Sequence, residues 1–148
     1  VITPIDVMRH FEKEGYIGSL DNYFYSTVGT GTTENEARRM GEEIVEHLKE
    51  TDVDAVLLVS TWGTCTRCGA TMVKAIEKAG FPVTHFANLL PVTKTVGANR
   101  IVQTISIPYP FANPDDSEDV RFEMKKKLVK IGLDALSKEI DEQAVFTK

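Results

Sequence analysis

An uninterrupted apolar run, Ala55-Val56-Leu57-Leu58-Val59, constrains the fold of this chain more than any other feature. A strand with one face in water alternates apolar and polar residues, whereas a strand covered on both faces does not. The run stands between two segments with helical periodicity, so it predicts a buried strand of a parallel sheet. With 148 residues, 42% of them apolar, the chain is long enough for a single globular domain spanning residues 1–148.

Helical and strand patterns alternate along the rest of the chain. Apolar residues recur at helical spacing in residues 5–14, 34–50, 69–78 and from 117 onward. Strands are predicted over residues 23–28, 82–87 and 101–107, which are rich in β-branched and aromatic side chains, while residues 89–97 fit either a short helix or a turn. Strands separated by helices indicate right-handed βαβ crossovers. We therefore predict a three-layer α/β fold, Rossmann-like or flavodoxin-like, with a mostly parallel sheet and helices on both faces.

Composition argues against several classes of function. The net charge of −5, with no basic stripe, makes nucleic acid an unfavourable partner. No stretch approaches the roughly 20 apolar residues of a membrane helix. Only two cysteines are present, and both lie in one loop, which favours the reducing cytoplasm over a disulfide-stabilised extracellular domain. Because the chain begins with Val1 rather than Met, we expect it to be processed or to be part of a longer subunit.

The loop after the apolar run carries a CxxC motif, Cys65-Thr66-Arg67-Cys68, at the start of a predicted helix. The free N–H groups of a helix N-terminus stabilise a thiolate, and the Arg67 guanidinium can add to that effect. Three interpretations remain open: a redox pair, two ordinary buried thiols, or part of a zinc site. Zinc needs four ligands, and no second CxxC exists, so the histidines would have to complete the set; they are His10, His47 and His85. We therefore expect no metal.

Four segments of the sequence are similar to one protein family. They are Ser60–Lys74, which contains the CxxC pair, Tyr23–Gly29 with the following Gly31-Thr32, Thr95–Val102 and Asp141–Phe146. All four resemble the selenoprotein subunit of the substrate-specific component B of glycine, sarcosine and betaine reductases. The resemblance covers nearly the whole chain, but subunits of that family are much longer. It therefore implies that this chain is the carboxyl-terminal domain of such a subunit.

Trp62 departs from the family pattern. That pattern is selenocysteine-x-x-Cys-x-x-Cys, and Trp62 stands at its first position, ahead of Cys65 and Cys68. Selenocysteine is encoded by UGA, one base away from the Trp codon UGG. We therefore interpret Trp62 as an artefact of translation, cloning or substitution at a selenocysteine position. The alternative is a genuine Trp that packs over the loop.

The resemblance also implies a reaction and a set of partners. Reductases of this family cleave the C–N bond of glycine, sarcosine or betaine, and the multi-subunit system yields acetyl phosphate. The implied partners are the pyruvoyl-bearing subunit of component B, the selenoprotein component A, and component C. The chain itself is expected to bind no cofactor, and its catalytic positions would be Trp62, Cys65 and Cys68. With Trp62 in place, the chain is predicted to be inactive in reductive cleavage.

A small carboxylate substrate requires a cation, and Arg100 is the candidate clamp. Its alternative role is a salt bridge at the surface or between subunits. Asn99 and Arg67 are further candidates for substrate binding. His85 could assist proton transfer, or it could be a half-buried side chain with its hydrogen bonds satisfied. The segment Gly29–Thr33 could hold an anion on its N–H groups, or it could form a tight turn.

Two other functions remain open from the sequence alone. One is a free-standing thiol–disulfide oxidoreductase that uses Cys65 and Cys68. For that function Pro108 is the candidate for the proline that thioredoxin-like proteins place opposite the motif. The other is a non-catalytic α/β module that binds a small anion.

Overall fold

The computed structural model describes residues 2–107 and 109–147, so Pro108 lies outside the described residues. Within these ranges a single sheet of four parallel strands runs in chain order. The strands are β1 (Val56–Val59), β2 (Val83–Ala87), β3 (Arg100–Gln103) and β4 (Ala144–Phe146). The helices are α1 (Ile5–Lys13), α2 (Glu34–Leu48), α3 (Gly63–Lys78), α4 (Leu90–Val96) and α5 (Glu118–Leu136).

Local sequence signals explain where the helices begin and end. The Thr33 hydroxyl accepts a hydrogen bond from the Glu36 N–H at 3.2 Å and thereby caps α2. The ambiguous residues 89–97 form α4, which ends at Gly97 with φ +105°, a conformation that favours glycine. None of the helices in the described ranges is long and apolar enough to cross a membrane.

Helices cover both faces of the sheet, and the side chains of β2 alternate between them. Val83 packs in a core with α3, while Phe86 packs in a second core with α1 and α5. The Thr84 hydroxyl, on the same face as Phe86, donates to the Gly132 carbonyl of α5 at 2.9 Å. On the other face α2 packs outside α3. The predicted three-layer α/β fold is confirmed.

The third crossover differs from the first two. α3 and α4 carry the chain from β1 to β2 and from β2 to β3 over one face, whereas α5 carries it from β3 to β4 over the opposite face. Each strand is added on the same side of the one before it, so a crossover over the opposite face has the opposite hand to the first two. The expectation that all crossovers are right-handed is therefore wrong.

Residues 23–28 do not form the predicted strand. Tyr23 and Phe24 are 77% and 67% exposed, and the segment lies along α2 rather than in the sheet. β-propensity reflects packing on a sheet, so aromatic composition produces a strand only where a partner strand is available. At the other end of the chain, the sheet gains β4, which the sequence did not predict, while β3 stops at Gln103 instead of continuing to residue 107.

Candidate functional site

Position 62 lies at the carboxyl edge of the sheet, where β1 leads into α3. Trp62 is the N-cap residue of α3, with extended backbone (φ −112°, ψ 173°), and its side chain makes no capping hydrogen bond. Its indole is 57% exposed. The interpretation that this side chain packs over the loop is therefore not supported, and position 62 is open to solvent.

Cys65 and Cys68 are the third and sixth residues of α3, because the helix begins at Gly63 rather than after residue 69. Positions 62 and 65 are three residues apart, as are positions 65 and 68, and residues at this spacing are neighbours on a helix surface. Both thiols are free; Cys65 is partly exposed, whereas Cys68 is only 1% exposed. Exposure to solvent thus falls along the series from Trp62 to Cys68.

The turn at Gly29–Thr33 packs against the two thiols. A Cβ placed on Gly29 would lie 2.7 Å from the Cys65 sulfur, so only glycine fits at this approach. The Cys68 Sγ lies 3.9 Å from the carbonyl oxygens of Gly29 and Thr32, and Arg67 Nη2 donates to the Thr32 carbonyl at 2.6 Å. This turn and the Trp62 loop therefore share one rim of the sheet, and the contacts favour a tight turn over an anion cradle.

Burial decides the protonation of the inner thiol. Desolvation raises the pKa of Cys68, the Arg67 guanidinium offsets part of this increase, and the nearby Cys65 adds a smaller increase. Cys68 therefore remains a thiol at neutral pH. At Cys68 the Arg67 guanidinium does not offset the cost of desolvation, so the direction of this pKa shift is opposite to the one expected for a thiol at a helix start.

His85 lies in the interior directly behind the thiols and is fully buried. Its Nε2 is 2.8 Å from the Ser60 hydroxyl and its Nδ1 is 2.7 Å from the Thr93 hydroxyl. Burial lowers the pKa of His85 to about 3, so the ring is neutral at physiological pH. Direct proton transfer to a substrate is not supported, because the ring does not reach solvent; the alternative of a satisfied buried side chain fits, although burial is complete rather than partial.

Arg100 and Asn99 lie at the opposite edge of the sheet from the thiols, because Arg100 begins a strand that runs parallel to β1. Arg100 donates to the Ala135 carbonyl from Nε at 3.0 Å and to the Lys138 carbonyl from Nη2 at 3.1 Å. Asn99 Nδ2 donates to Glu77 at 2.6 Å. Arg100 and Asn99 thus lie away from the thiol edge, where Arg100 ties the end of α5 and Asn99 ties the end of α3 to the sheet. Their role in substrate binding stays a prediction. Arg67 remains as the arginine beside the thiols.

Three residues of this region carry contacts that sequence reasoning missed, namely Ser60, Gly69 and Thr93. The Ser60 hydroxyl donates to the Cys65 carbonyl at 3.1 Å. A Cβ on Gly69 would lie 2.2 Å from the Ser60 oxygen, so this glycine lets α3 lie against the sheet. A glycine directly after the CxxC motif was the available signal for this close approach. Within residues 2–107 and 109–147 no group of three or more His, Cys, Asp or Glu side chains could hold a metal ion.

Comparisons with known proteins identify similar sequences over nearly the whole chain. Residues 1–61 match a family model described as glycine/sarcosine/betaine reductase selenoprotein B. The chain is 57% identical over 146 residues to a betaine reductase complex component B subunit beta of Peptoclostridium acidaminophilum, covering 99% of this chain and 33% of that protein. It is 51% identical over 145 residues to a glycine reductase complex component B subunit gamma of Carboxydothermus hydrogenoformans, covering 98% and 33%.

A third relative extends the comparison to another substrate. A sarcosine reductase complex component B subunit beta of Peptoclostridium acidaminophilum is 52% identical over 146 residues, covering 99% of this chain and 34% of that protein. The chain thus spans about a third of the length of these relatives. No solved structure shows a significant match to it.

Proposed function

Because this chain belongs to the family of component B subunits of the glycine, sarcosine and betaine reductases, of whose length it spans about a third, we propose that it is the redox-active part of such a subunit. In this proposal it is the carboxyl-terminal domain and works in the reducing cytoplasm. The native protein carries selenocysteine at position 62. The reaction is reductive cleavage of the C–N bond of glycine, sarcosine or betaine, and acetyl phosphate is formed by the complete system.

The exposed position of Trp62 carries this proposal. A large apolar side chain that is 57% exposed and makes no capping hydrogen bond contributes little to the fold. A selenolate at the same N-cap would face the unpaired N–H groups of the first turn of α3, which favour an anion. The family-model match ends at residue 61, directly before this position, although similarity to the relatives continues over nearly the whole chain.

In this proposal Cys65 is the partner of position 62. An N-cap residue and the third residue of a helix lie on one face within about one turn, a separation that a bridge between two side chains can span. Closing a selenenyl sulfide forms one Se–S bond and releases two electrons, which is the number that cleavage of one C–N bond consumes. Two electrons from a thioredoxin-type carrier return both groups to their reduced forms. Cys68, one turn deeper, is the second thiol that can open the bridge.

The partners follow from the same proposal. The pyruvoyl-bearing subunit of component B holds the substrate amine, and component A and component C take up and release the two-carbon unit. A substrate carboxylate brought to this rim would meet Arg67, the arginine that lies beside the thiols. Arg67 therefore takes the clamp role that the sequence suggested for Arg100.

The test is the identity of residue 62 in the native protein. Mass spectrometry of the native protein should find selenium in the peptide that contains Cys65 and Cys68. Full-length subunit with selenocysteine at position 62 should support reductive cleavage with its partner components, and the Trp62 form should not. A native peptide that contains Trp, or turnover by the Trp62 form, would contradict the proposal.

A simpler function is favoured by one observation, the presence of two free thiols three residues apart in the first turns of a helix. A thiol–disulfide oxidoreductase would use Cys65 and Cys68 without selenium. In that case the Trp62 form should reduce insulin disulfides. We favour the selenium-dependent function because the similar proteins are component B subunits of reductase complexes.

A further inference from the structure

The contacts of Ser60 behind the thiols determine which group is the donor in each buried hydrogen bond. The Ser60 hydroxyl carries one proton, and its oxygen lies 3.1 Å from the Cys65 carbonyl oxygen and 2.8 Å from His85 Nε2. A carbonyl oxygen only accepts, so the Ser60 proton points to Cys65. His85 Nε2 must then be the donor to Ser60.

The same argument assigns donor and acceptor on the other side of the imidazole ring, where His85 contacts α4. A neutral imidazole carries one proton, which is on Nε2, so Nδ1 must accept. Its partner is the Thr93 hydroxyl at 2.7 Å, which therefore donates. The complete series runs from Thr93 to His85, from His85 to Ser60, and from Ser60 to the Cys65 carbonyl; we call these residues the His85 relay. Ser60, His85 and Thr93 are all buried.

We infer that His85 is a positioning residue, which acts through Ser60 to fix the backbone of Cys65 and thereby the separation between Cys65 and position 62. The inference rests on the proposed function, in which these two positions form the redox bridge. The relay joins the end of β1, the middle of β2 and α4 to the first turn of α3. The relay therefore fixes the first turn of α3 through hydrogen bonds to residues from three other parts of the fold.

The packing of α3 supports this role. A Cβ on Gly69 would lie 2.2 Å from the Ser60 oxygen and 2.9 Å from His85 Nε2. The relay thus occupies the space that a side chain at position 69 would need. The helix carrying both thiols lies directly on the relay, so a change in the relay moves the first turn of the helix.

The ring proton is the first measurement. Nitrogen NMR of the full chain with labelled histidine should find the His85 proton on Nε2 and Nδ1 unprotonated. In Ser60→Ala the ring loses its acceptor at Nε2, and we expect the proton to move to Nδ1, where the Thr93 oxygen can accept it. A proton on Nδ1 in the unaltered chain would overturn the relay, because Ser60 would then donate to His85 instead of Cys65.

The second measurement is the bridge itself, in full chain carrying Trp62→Cys. The equilibrium constant for closing the bridge between position 62 and Cys65 is measured in dithiothreitol buffers, with differential alkylation and peptide mapping. We expect Ser60→Ala and His85→Leu each to lower this constant about tenfold, as the loss of one buried hydrogen bond would. His85→Gln, whose amide N–H can still donate to Ser60, should restore most of the loss.

Thr84→Val is the matched control, because it also removes a buried hydroxyl that makes a hydrogen bond but lies outside the relay. It should leave the constant unchanged. An equal constant in Ser60→Ala and the Trp62→Cys parent would overturn the positioning role of the relay while leaving the proposed function intact. If the parent forms no bridge at all, the proposed function fails and the positioning role fails with it. The NMR result then separately decides the direction of the hydrogen bonds.

Discussion

At the scale of single residues, the two thiols of the CxxC motif have different environments although they lie one turn apart. Cys65 is partly exposed beside position 62, whereas Cys68 lies under the carbonyl groups of Gly29 and Thr32. A nucleophile must be reached by its target, and a buried neutral thiol is a weak one. In the proposed function the outer thiol therefore forms the bridge with position 62, and the inner thiol acts only in a later internal step.

The raised pKa of Cys68 predicts a loss of stability in alkali. The unfolded chain ionises this thiol near its ordinary pKa of 9.0, while the native state keeps the proton to higher pH. Above that value the unfolded state binds fewer protons, so the free energy of unfolding falls as pH rises until the raised pKa is passed. Urea unfolding measured from about pH 8 to about pH 11, a range that brackets the ordinary pKa of a thiol, should show this slope, and Cys68→Ala should reduce it. An equal slope in both proteins would contradict the assignment.

Thr104 tests how a buried hydroxyl without a hydrogen-bond partner affects the free energy of unfolding. Its Oγ1 is buried and has no hydrogen-bond partner among residues 2–107 and 109–147. Replacing it in Thr104→Val removes an unpaired hydroxyl at nearly constant volume, so we expect a stabilisation of about 1 kcal/mol in urea unfolding.

Thr84→Val is the matched comparison for Thr104→Val. The Thr84 hydroxyl is also buried, but it donates to the Gly132 carbonyl at 2.9 Å. Removing it leaves that carbonyl without this donor and should cost about 1 kcal/mol. The same sign for both variants would show that hydrogen bonding does not decide the outcome.

At the scale of elements, the approach of α3 to the sheet depends on Gly69. In Gly69→Ala the added methyl would meet Ser60, His85 and the Leu58 side chain within 3 Å, which forces a shift of the helix. We expect a loss of about 2 kcal/mol in the free energy of unfolding, as overpacking of a core usually gives.

Gly63→Ala is the control on the same helix. A Cβ at this position would meet only the end of Leu89 at 3.4 Å. The free energy of unfolding should change by less than about 0.5 kcal/mol. A similar loss in both variants would mean that helix backbone effects, rather than the contact with the sheet, dominate.

The sequence predicted elements well where periodicity is strong. The apolar run became β1, the amphipathic stretch after Thr33 became α2, and the CxxC motif stands at a helix start as expected. Residues 23–28 were mispredicted because β-propensity cannot tell whether a partner strand exists. β4 was missed because three residues give too short a pattern to distinguish from a loop.

The candidate site was only partly predictable, because some of its contacts join residues that are far apart in the sequence. The rim formed by Trp62, the thiols and the Gly29 turn follows from the rule that loops at the carboxyl ends of parallel strands meet. The same rule would have placed Arg100 at the opposite edge, because it precedes its strand. The contacts of His85 with Ser60 and Thr93 join residues far apart in sequence, and no local pattern reveals them.

At the scale of the whole molecule, the two edges of the sheet have separate tasks. The carboxyl edge carries position 62 and Cys65, and the amino edge carries Arg100, which donates to two carbonyl groups at the end of α5. We expect Arg100→Met, which keeps an apolar stem, to lower the free energy of unfolding by about 2 kcal/mol. The rate at which iodoacetamide alkylates Cys65 should not change. A changed rate would show that the two edges are coupled.

The gradient of exposure along α3 has a consequence for oxidative damage. Peroxide diffusing from solvent meets position 62 first, then Cys65, and reaches Cys68 only after the covering Gly29 turn has moved. Irreversible sulfinic and sulfonic acids should therefore accumulate from the outside inward. The Cys68 sulfur would still be reduced after the outer groups are oxidised. A damaged molecule could therefore be identified by its single remaining free thiol.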